Sequence, residues 1–172
     1  MSAREGLDKD PAEKSEDAPL ETLEEIFLGR SGESDAADEL LDHIVTRVTD
    51  EGLVIDVFSR DGRPLFENGS SEPTERMRAI LAMIADVTGL VKNSIAIDGH
   101  TDATPFQNEI GGNWGLSAAR ADASRRTLQE AGLAAERFER ISGHAARELA
   151  LPDAPLDPRN RRVTITLLRN DR

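Results

Sequence analysis

The sequence contains no cysteine among its 172 residues, and it is poor in aromatic side chains. Without cysteine, the chain can form neither a disulfide nor a thiolate-ligated zinc site. Tyrosine is absent, tryptophan occurs once, and aromatic residues make up 3% of the chain, whereas 38% of all residues are hydrophobic. We therefore predict a single core built from leucine, isoleucine, valine and alanine, for which the chain is long enough.

The chain also lacks long apolar segments and an excess of basic residues. No run of about 18 apolar residues is present, so no segment is expected to cross a bilayer. Residues 1–19 lack the apolar stretch of a secretory signal. With a net charge of −12, most of the surface would repel nucleic acids and anionic lipids. An anionic ligand would therefore need a local cationic pocket.

The first 33 residues are predicted to form a disordered or weakly helical linker. Residues 1–19 are rich in charged residues and too poor in apolar ones to offset the entropy lost on folding. Leu20, Leu23 and Phe27 have a rough helical spacing that predicts a short helix, and docking of this helix on the domain is the alternative. The linker interpretation predicts that deleting residues 1–33 leaves stability unchanged.

The folded domain is predicted to span residues 34–172 and to begin with a helix over residues 36–50. Apolar side chains recur there at helical spacing, at Ala37, Leu40, Leu41, Ile44 and Val48. Later helices are predicted from Pro73 and from Asn113, the second with Asn113 as its N-cap. Strands are predicted at residues 53–58, 94–101, near 141 and at "RRVTITLLR", residues 161–169.

This order of elements, α-β-α-β-α-β-β, predicts an α/β sandwich. Strands that alternate with helices favour crossover connections, which place neighbouring strands parallel. We therefore expect a partly parallel sheet with helices packed on one face.

Four polar side chains surround the loop between a predicted strand and the helix that follows it. His100 and Asp102 stand at the end of "SIAIDGHT", and Asn113 and Arg120 stand in the first turns of "NWGLSAARA". With Asp98, the histidine and the first aspartate could bind a divalent ion. However, alternate side chains lie about 7 Å apart along a flat strand and diverge rather than converge on one ion.

An enzyme is a second interpretation of the same residues. His100 would act as a general base, oriented by a neighbouring aspartate, with Ser117 or Ser142 as nucleophile. Neither serine stands in the G-x-S-x-G context of a nucleophile elbow. Ser117 is also placed in the first turn of a predicted helix, where serine often serves the backbone.

A binding site for a charged ligand is a third interpretation of these residues. Asp102 and Arg120 offer one carboxylate and one guanidinium, which together match a zwitterion that carries an ammonium and a carboxylate. The helix N-terminus would add unpaired N–H donors for the same ligand carboxylate. The alternative is that Asp102 and Arg120 pair with each other, and the spacing alone does not decide between the two.

Three ordered motifs resemble the OmpA-like peptidoglycan-binding family. They are "GHTD" at residues 99–102, "NWGLSAARA" at 113–121 and "NRRVTI" at 160–165, against the family patterns G-x-T-D, N-x-x-L-S-x-x-R-A and N-R-R-V. The segment "EGLVIDVFSRDGRPLFENGS" and the long loop after Asp102 are most similar to the periplasmic part of flagellar motor stator proteins. The resemblance covers residues 36–170 and implies a βαβαβ-β fold with a mixed sheet and helices on one face.

The resemblance also implies a ligand and the residues that bind it. The family binds the peptide stem of peptidoglycan at its diaminopimelate. Asp102 and Arg120 match the family's ligand pair, and would take the ammonium and the carboxylate of that residue. Further matches to motif positions that line the pocket are Thr101, Asn113, Leu116, Asn160 and Arg161. No catalytic residue, metal or cofactor is implied.

The resemblance further implies a noncatalytic anchor of the flagellar motor stator that acts in the periplasm. A homodimer and a MotA-type stator subunit are the implied partners, the latter through an N-terminal membrane helix of the inner membrane that this chain does not contain. The chain is thus expected to be a periplasmic fragment. The alternatives are an outer-membrane or lipoprotein anchor of the same family and, from another class, a peptidoglycan hydrolase.

Overall fold

The computed structural model describes residues 20–105 and 111–170. Its sheet has five strands in the order β1-β2-β5-β3-β4. The strands are β1 (Ile44–Val48), β2 (Gly52–Phe58), β3 (Ile95–His100), β4 (Phe138–Gly143) and β5 (Arg162–Leu168). The helices are α1 (residues 20–28), α2 (Asp35–Leu41), α3 (Glu75–Thr88) and α4 (Gly112–Glu130). Two short 3₁₀ turns, Ala135–Arg137 and Pro158–Asn160, complete the described elements.

The sheet is mixed, as the order of elements predicted. Helix α4 crosses from β3 to β4, which lie parallel. The pairs β1–β2, β2–β5 and β3–β5 are antiparallel. Because β5 inserts between β2 and β3, the last strand of the chain lies at the centre of the sheet. The "NRR" motif that precedes β5 is therefore brought beside the C-terminal end of β3.

The aliphatic core lies between one face of the sheet and the helices. Alternate residues of the three central strands are buried there, among them Ile55, Ile97 and Ile165. They pack with buried side chains of α3 and α4, such as Ile84 and Leu128, in one contiguous cluster. The strand period of two leaves the neighbouring residues on the opposite, polar face. The predicted α/β sandwich with helices on one face is confirmed.

Two glycines let α4 lie close against the sheet. A Cβ on Gly99 of β3 would stand 2.1 Å from the carbonyl oxygen of Ser117, and a Cβ on Gly143 of β4 would stand 2.5 Å from the amide nitrogen of Ala118. Only a residue without a side chain permits this approach. The close contact sets the first turns of α4 beside the end of β3. That placement builds the site described below.

The predicted helix over residues 36–50 is wrong in its second half. Helix α2 ends at Leu41, and residues 44–48 form edge strand β1, paired with β2 from Ile44 opposite Val57 to Val48 opposite Leu53. The sequence "IVTRV" is rich in β-branched residues, which favour strands, but its apolar positions also fit a helical spacing. The open edge of β2 resolves the ambiguity, because it supplies backbone partners for a fifth strand.

The linker prediction for residues 1–33 is wrong for residues 20–28. This segment is helical, and Leu20, Leu23 and Phe27 are 1%, 3% and 0% exposed within the main core cluster. Thr46 of β1 also donates a hydrogen bond to Glu24 at 2.7 Å. The apolar stripe of α1 is therefore part of the domain, as the docking alternative proposed. Residues 1–19 lie outside the described part of the chain, and so does the linker prediction for them.

Smaller differences concern element ends. Helix α4 begins at Gly112 with Gly111 as its N-cap residue, rather than with Asn113. Gly111 has a φ of 91°, a left-handed conformation that favours glycine. Within the described residues, no helix is both long enough and apolar enough to pass through a membrane.

Candidate functional site

A cavity of about 680 Å³ opens where the end of β3, the start of α4 and the loop between β2 and α3 meet. Its volume lies within the range of about 300–1,000 Å³ that is usual for small-molecule sites. The described residues that line it include three arginines and one carboxylate, together with apolar and amide side chains. They are Arg60, Gly62, Pro64, Phe66, Asn68, Gly69, Thr101, Asp102, Thr104, Pro105, Asn113, Leu116, Arg120 and Arg161.

Asp102 is held at the base of this cavity and is 5% exposed. Strand β3 ends at His100, and Asp102 lies in the loop that follows. One carboxylate oxygen of Asp102 accepts a hydrogen bond from the amide N–H of Thr104 at 2.9 Å. The other oxygen accepts a hydrogen bond from Nη1 of Arg161 at 2.6 Å. This charge-assisted pair joins the strand end to Arg161, which directly follows the buried Asn160 in the chain.

Arg120 lies in α4 and is 8% exposed. Its Nε donates to the carbonyl oxygen of Ser70 at 2.8 Å, and its guanidinium carbon lies 5.0 Å from the centre of the Phe66 ring. Burial, followed by the nearby positive charge of Arg161, lowers the pKa of Arg120 to about 10. The group remains charged at neutral pH, but it has lost much of its hydration.

Asp102 and Arg120 therefore do not form the mutual ion pair that the sequence left open. The carboxylate pairs with Arg161, and no carboxylate of the described residues pairs with Arg120. A buried cation without an anionic partner is costly, and an anion that entered the cavity would compensate it. The arrangement can accept a carboxylate at Arg120 while Asp102 keeps free lone pairs for a donor.

The cavity brings together six of the seven residues predicted from the motifs. Thr101, Asn113, Leu116 and Arg161 line it with Asp102 and Arg120. Thr101 is buried, its amide donates to Ala145, and its hydroxyl donates to the carbonyl of Asp102 at 2.9 Å. Asn113 donates to the carbonyl of Thr104 at 3.0 Å, which ties the loop to the helix.

Asn160 is the exception among the predicted residues. It is fully buried and is not among the described lining residues. Its side-chain oxygen accepts the amide of Leu151 at 2.7 Å, and its side-chain nitrogen donates to the carbonyl of Ala154 at 2.8 Å. With both ends of the amide used, Asn160 holds the loop before β5 and so positions its neighbour Arg161.

The loop between β2 and α3 contributes lining residues that the sequence analysis did not predict. Arg60, Phe66 and the backbone carbonyls of Glu67 and Ser70 belong to this loop, and the carbonyls fix Arg120. Its sequence "RPLFENGS" carries part of the family resemblance. The signal for Arg60 is the phenylalanine two residues before it in "FSR", since arginine stacks readily on an aromatic ring, as Arg60 does on Phe58.

The residues of the metal hypothesis diverge. Asp98 accepts hydrogen bonds from Arg140 at 3.2 Å and pairs with His144 at 2.8 Å on the polar face of the sheet. His100 stacks on His144 with ring centres 4.8 Å apart, and burial lowers its pKa to about 4. Asp102 lies at the cavity instead. Across the described residues, no group of three or more such ligands is placed to hold a metal ion.

Ser117, the first nucleophile of the enzyme hypothesis, is fully buried. Its hydroxyl donates to the carbonyl of Trp114 at 3.1 Å and accepts the amide of Ala145 at 3.0 Å. It packs on the helical side of β3, against Gly99. The hydroxyl thus serves the backbone of two segments and is not presented to a substrate.

Comparison with known proteins places these features in a family. The OmpA family model matches residues 65–162. The Escherichia coli K12 protein named Motility protein B is 38% identical over 128 residues, which are 73% of this chain and 42% of that protein. The chain thus spans less than half the length of the curated relative it matches.

Two solved structures share the fold. The periplasmic domain of Helicobacter pylori MotB is 23% identical, with a TM-score of 0.64 over 74% of this chain and 80% of that one. The cell wall anchor of the type VI secretion system (T6SS) from Pseudomonas aeruginosa is 28% identical, with a TM-score of 0.65 over 78% and 94% of the two chains. Both matches span most of the described domain.

Proposed function

This chain belongs to the OmpA family, and we propose that it is a noncatalytic peptidoglycan-binding domain that fixes a flagellar motor stator to the cell wall. The ligand is the diaminopimelate of the peptide stem. Its free end carries an ammonium and a carboxylate on one carbon. A site for it therefore needs one anionic and one cationic group at a short, fixed separation.

The observation that carries the proposal is the unpaired, buried guanidinium of Arg120 in the same cavity as Asp102. The ligand carboxylate compensates this cation, and Nε is already fixed by Ser70, so little side-chain entropy is lost on binding. The ligand ammonium donates to Asp102, which retains acceptor capacity beside its bonds to Thr104 and Arg161.

The remaining motif residues support these two contacts. Leu116 offers an apolar surface to the methylene chain of diaminopimelate, and Asn113 holds Thr104 in place beside the cavity. Thr101 and Arg161 orient Asp102 through its backbone and its carboxylate. Asn160 contributes through Arg161, since its own amide is already satisfied.

The stator assignment rests on the likeness to Motility protein B. By this assignment the domain is periplasmic and homodimeric. The intact protein carries an inner-membrane helix that engages a MotA-type subunit. The likeness to a T6SS cell wall anchor supports the ligand class but not the motor, so an anchor of another envelope machine is the second candidate.

Sedimentation with purified diaminopimelate-type sacculi tests the proposal. The chain should pellet with sacculi, and Asp102→Asn should weaken binding at least about 30-fold, because removing one partner of a desolvated charge contact costs roughly 2–5 kcal/mol. Asp153→Asn is the matched control, since Asp153 is exposed and lies outside the cavity.

The same incubation separates an anchor from a hydrolase. An anchor leaves the sacculi intact, and a hydrolase releases soluble muropeptides into the supernatant. Pelleting of Asp102→Asn equal to that of the control, with unchanged circular dichroism, would contradict the assigned role of Asp102. Release of muropeptides by the wild-type chain would contradict the noncatalytic assignment.

A further inference from the structure

A second arginine of the cavity is held in the same manner as Arg120. The Nε of Arg60 donates to the carbonyl oxygen of Asp42 at 2.8 Å, and its guanidinium carbon lies 5.3 Å from the centre of the Phe58 ring. In Arg120 the corresponding partners are a carbonyl at 2.8 Å and a ring at 5.0 Å. In both side chains, a backbone carbonyl at Nε and an aromatic ring orient the guanidinium, and in Arg120 the carbonyl of Glu67 adds a longer contact.

The backbone of Arg60 is fixed by a tight turn. Arg60 and Arg63 exchange backbone hydrogen bonds, and Gly62 between them has a φ of 74°. Arg63 leaves the turn towards Asp42, with which it forms an ion pair at 3.5 Å. Arg60 lines the cavity, and no carboxylate of the described residues pairs with it. Both arginines of the turn thus contact Asp42, but only Arg60 is among the described lining residues of the cavity.

The charges of the cavity do not balance with a single zwitterion. Among its described lining residues, three guanidiniums face one carboxylate. Arg161 neutralises Asp102, which leaves Arg60 and Arg120 without anionic partners. A ligand whose free end is one ammonium and one carboxylate satisfies Arg120 but leaves Arg60 uncompensated. The cavity volume of about 680 Å³ also exceeds what one amino-acid side chain fills.

We propose that Arg60 binds a second carboxylate of the peptide stem, so that the cavity recognises two carboxylates and one ammonium of the same ligand. The inference rests on the proposed function and deepens it. Two stem groups carry such a carboxylate, namely the main-chain end of a stem that terminates at diaminopimelate, and the glutamate that precedes it. Arg60 makes the site selective for stems in which that carboxylate is neither amidated nor extended.

The guanidinium of Arg60 suits this role because its orientation is set before binding. Its Nε is occupied, so its terminal nitrogens remain as a forked pair of donors, which matches the two oxygens of a carboxylate. A lysine at this position would lack the fork and the stacking on Phe58. Arg60 lines the cavity from the segment after β2, which is separate from the three family motifs.

Binding of synthetic stem tripeptides to the chain tests the inference. Three peptides are compared by calorimetry. The first has both carboxylates free, the second has the main-chain carboxylate of diaminopimelate amidated, and the third has the glutamate carboxylate amidated. One of the two amides should bind the wild-type chain about tenfold more weakly than the free peptide, and that amide identifies the carboxylate bound.

The Arg60→Gln variant should bind the same amide and the free peptide with equal affinity. The Arg63→Gln variant should keep the wild-type preference for the free peptide. The second variant removes the same charge from the same turn but faces Asp42. Because each ratio compares two peptides on one variant, a general loss of stability cancels. A wild-type chain that binds all three peptides equally, or an Arg60→Gln chain that keeps the preference, would overturn the inference.

The test also separates this inference from the proposed function. If the free tripeptide binds the wild-type chain and Asp102→Asn abolishes this binding, the proposed function is supported independently of the result for Arg60. If no peptide binds the wild-type chain, the proposed function fails and the role of Arg60 fails with it.

Discussion

The packing of α1 leads to a prediction that can be worked out in detail. Phe27 is fully buried in the core cluster, whereas its neighbour Ile26 is 39% exposed. Replacing a buried phenylalanine by alanine removes its burial and leaves a cavity, at a cost of about 3–5 kcal/mol. Replacing the half-exposed Ile26 should cost about 1 kcal/mol or less. The difference between the two variants isolates the docking of the helix.

Thermal unfolding measures this difference. For a domain of 150–250 residues, each kcal/mol shifts the melting temperature by about 2–4 °C, so Phe27→Ala should melt about 6–20 °C below the wild type. Urea unfolding should show a lower midpoint with a similar slope, because the surface exposed on unfolding changes little. Both variants keep the chain length, and both substitutions change the helix propensity by nearly the same amount.

Equal melting temperatures for Phe27→Ala and Ile26→Ala would refute the assignment of α1 to the domain. The comparison also tests the deletion of residues 1–33, which the linker interpretation expected to be neutral. With Leu20, Leu23 and Phe27 in the core, that deletion should lower the melting temperature more than Phe27→Ala does. A deletion that leaves the melting temperature unchanged would restore the linker interpretation.

Three further predictions concern the site and its support. Arg120→Lys should weaken sacculus binding at least about tenfold, because an ammonium cannot make the forked contact; sedimentation within about twofold of wild type would contradict this. Gly99→Ala should destabilise the domain by about 1–3 kcal/mol or more in urea, since its Cβ meets the Ser117 carbonyl at 2.1 Å; an unchanged midpoint would contradict the close packing of α4. Burial lowers the pKa of His100 from 6.5 to about 4, so the unfolded chain binds a proton over that interval that the folded chain does not. The free energy of unfolding should therefore fall by up to about 3 kcal/mol as the pH drops from 6.5 to 4. His100→Phe should flatten this pH dependence, whereas parallel pH profiles for the wild type and the variant would contradict the role of His100.

Strands with a clear period of two could be predicted from the sequence, and segments that fit two periods could not. Strand β5 alternates buried Val163 and Ile165 with polar neighbours, and its position was predicted correctly. Residues 44–48 fit both periods, and only the free edge of β2 decides in favour of a strand. Helix α1 has an apolar stripe at helical spacing, but its docking depends on a core cluster that strands and helices distant in the sequence form together.

The members of the site could be predicted, but their pairing could not. Six of the seven residues that the motif positions identified line the cavity, since each motif stands at the end of an element that the sheet brings to one place. That Asp102 pairs with Arg161 rather than with Arg120 depends on the insertion of β5 beside β3. Arg60 was missed because its role depends on a turn and a carbonyl partner that no local pattern encodes.

Comparison of two wall types tests the central claim most directly. Diaminopimelate carries a carboxylate beside its side-chain ammonium, whereas lysine at the same stem position carries the ammonium alone. If Arg120 binds that carboxylate, the chain should sediment with sacculi that contain unamidated diaminopimelate and bind lysine-type sacculi at least about 30-fold more weakly. Equal binding to the two wall types would contradict the account.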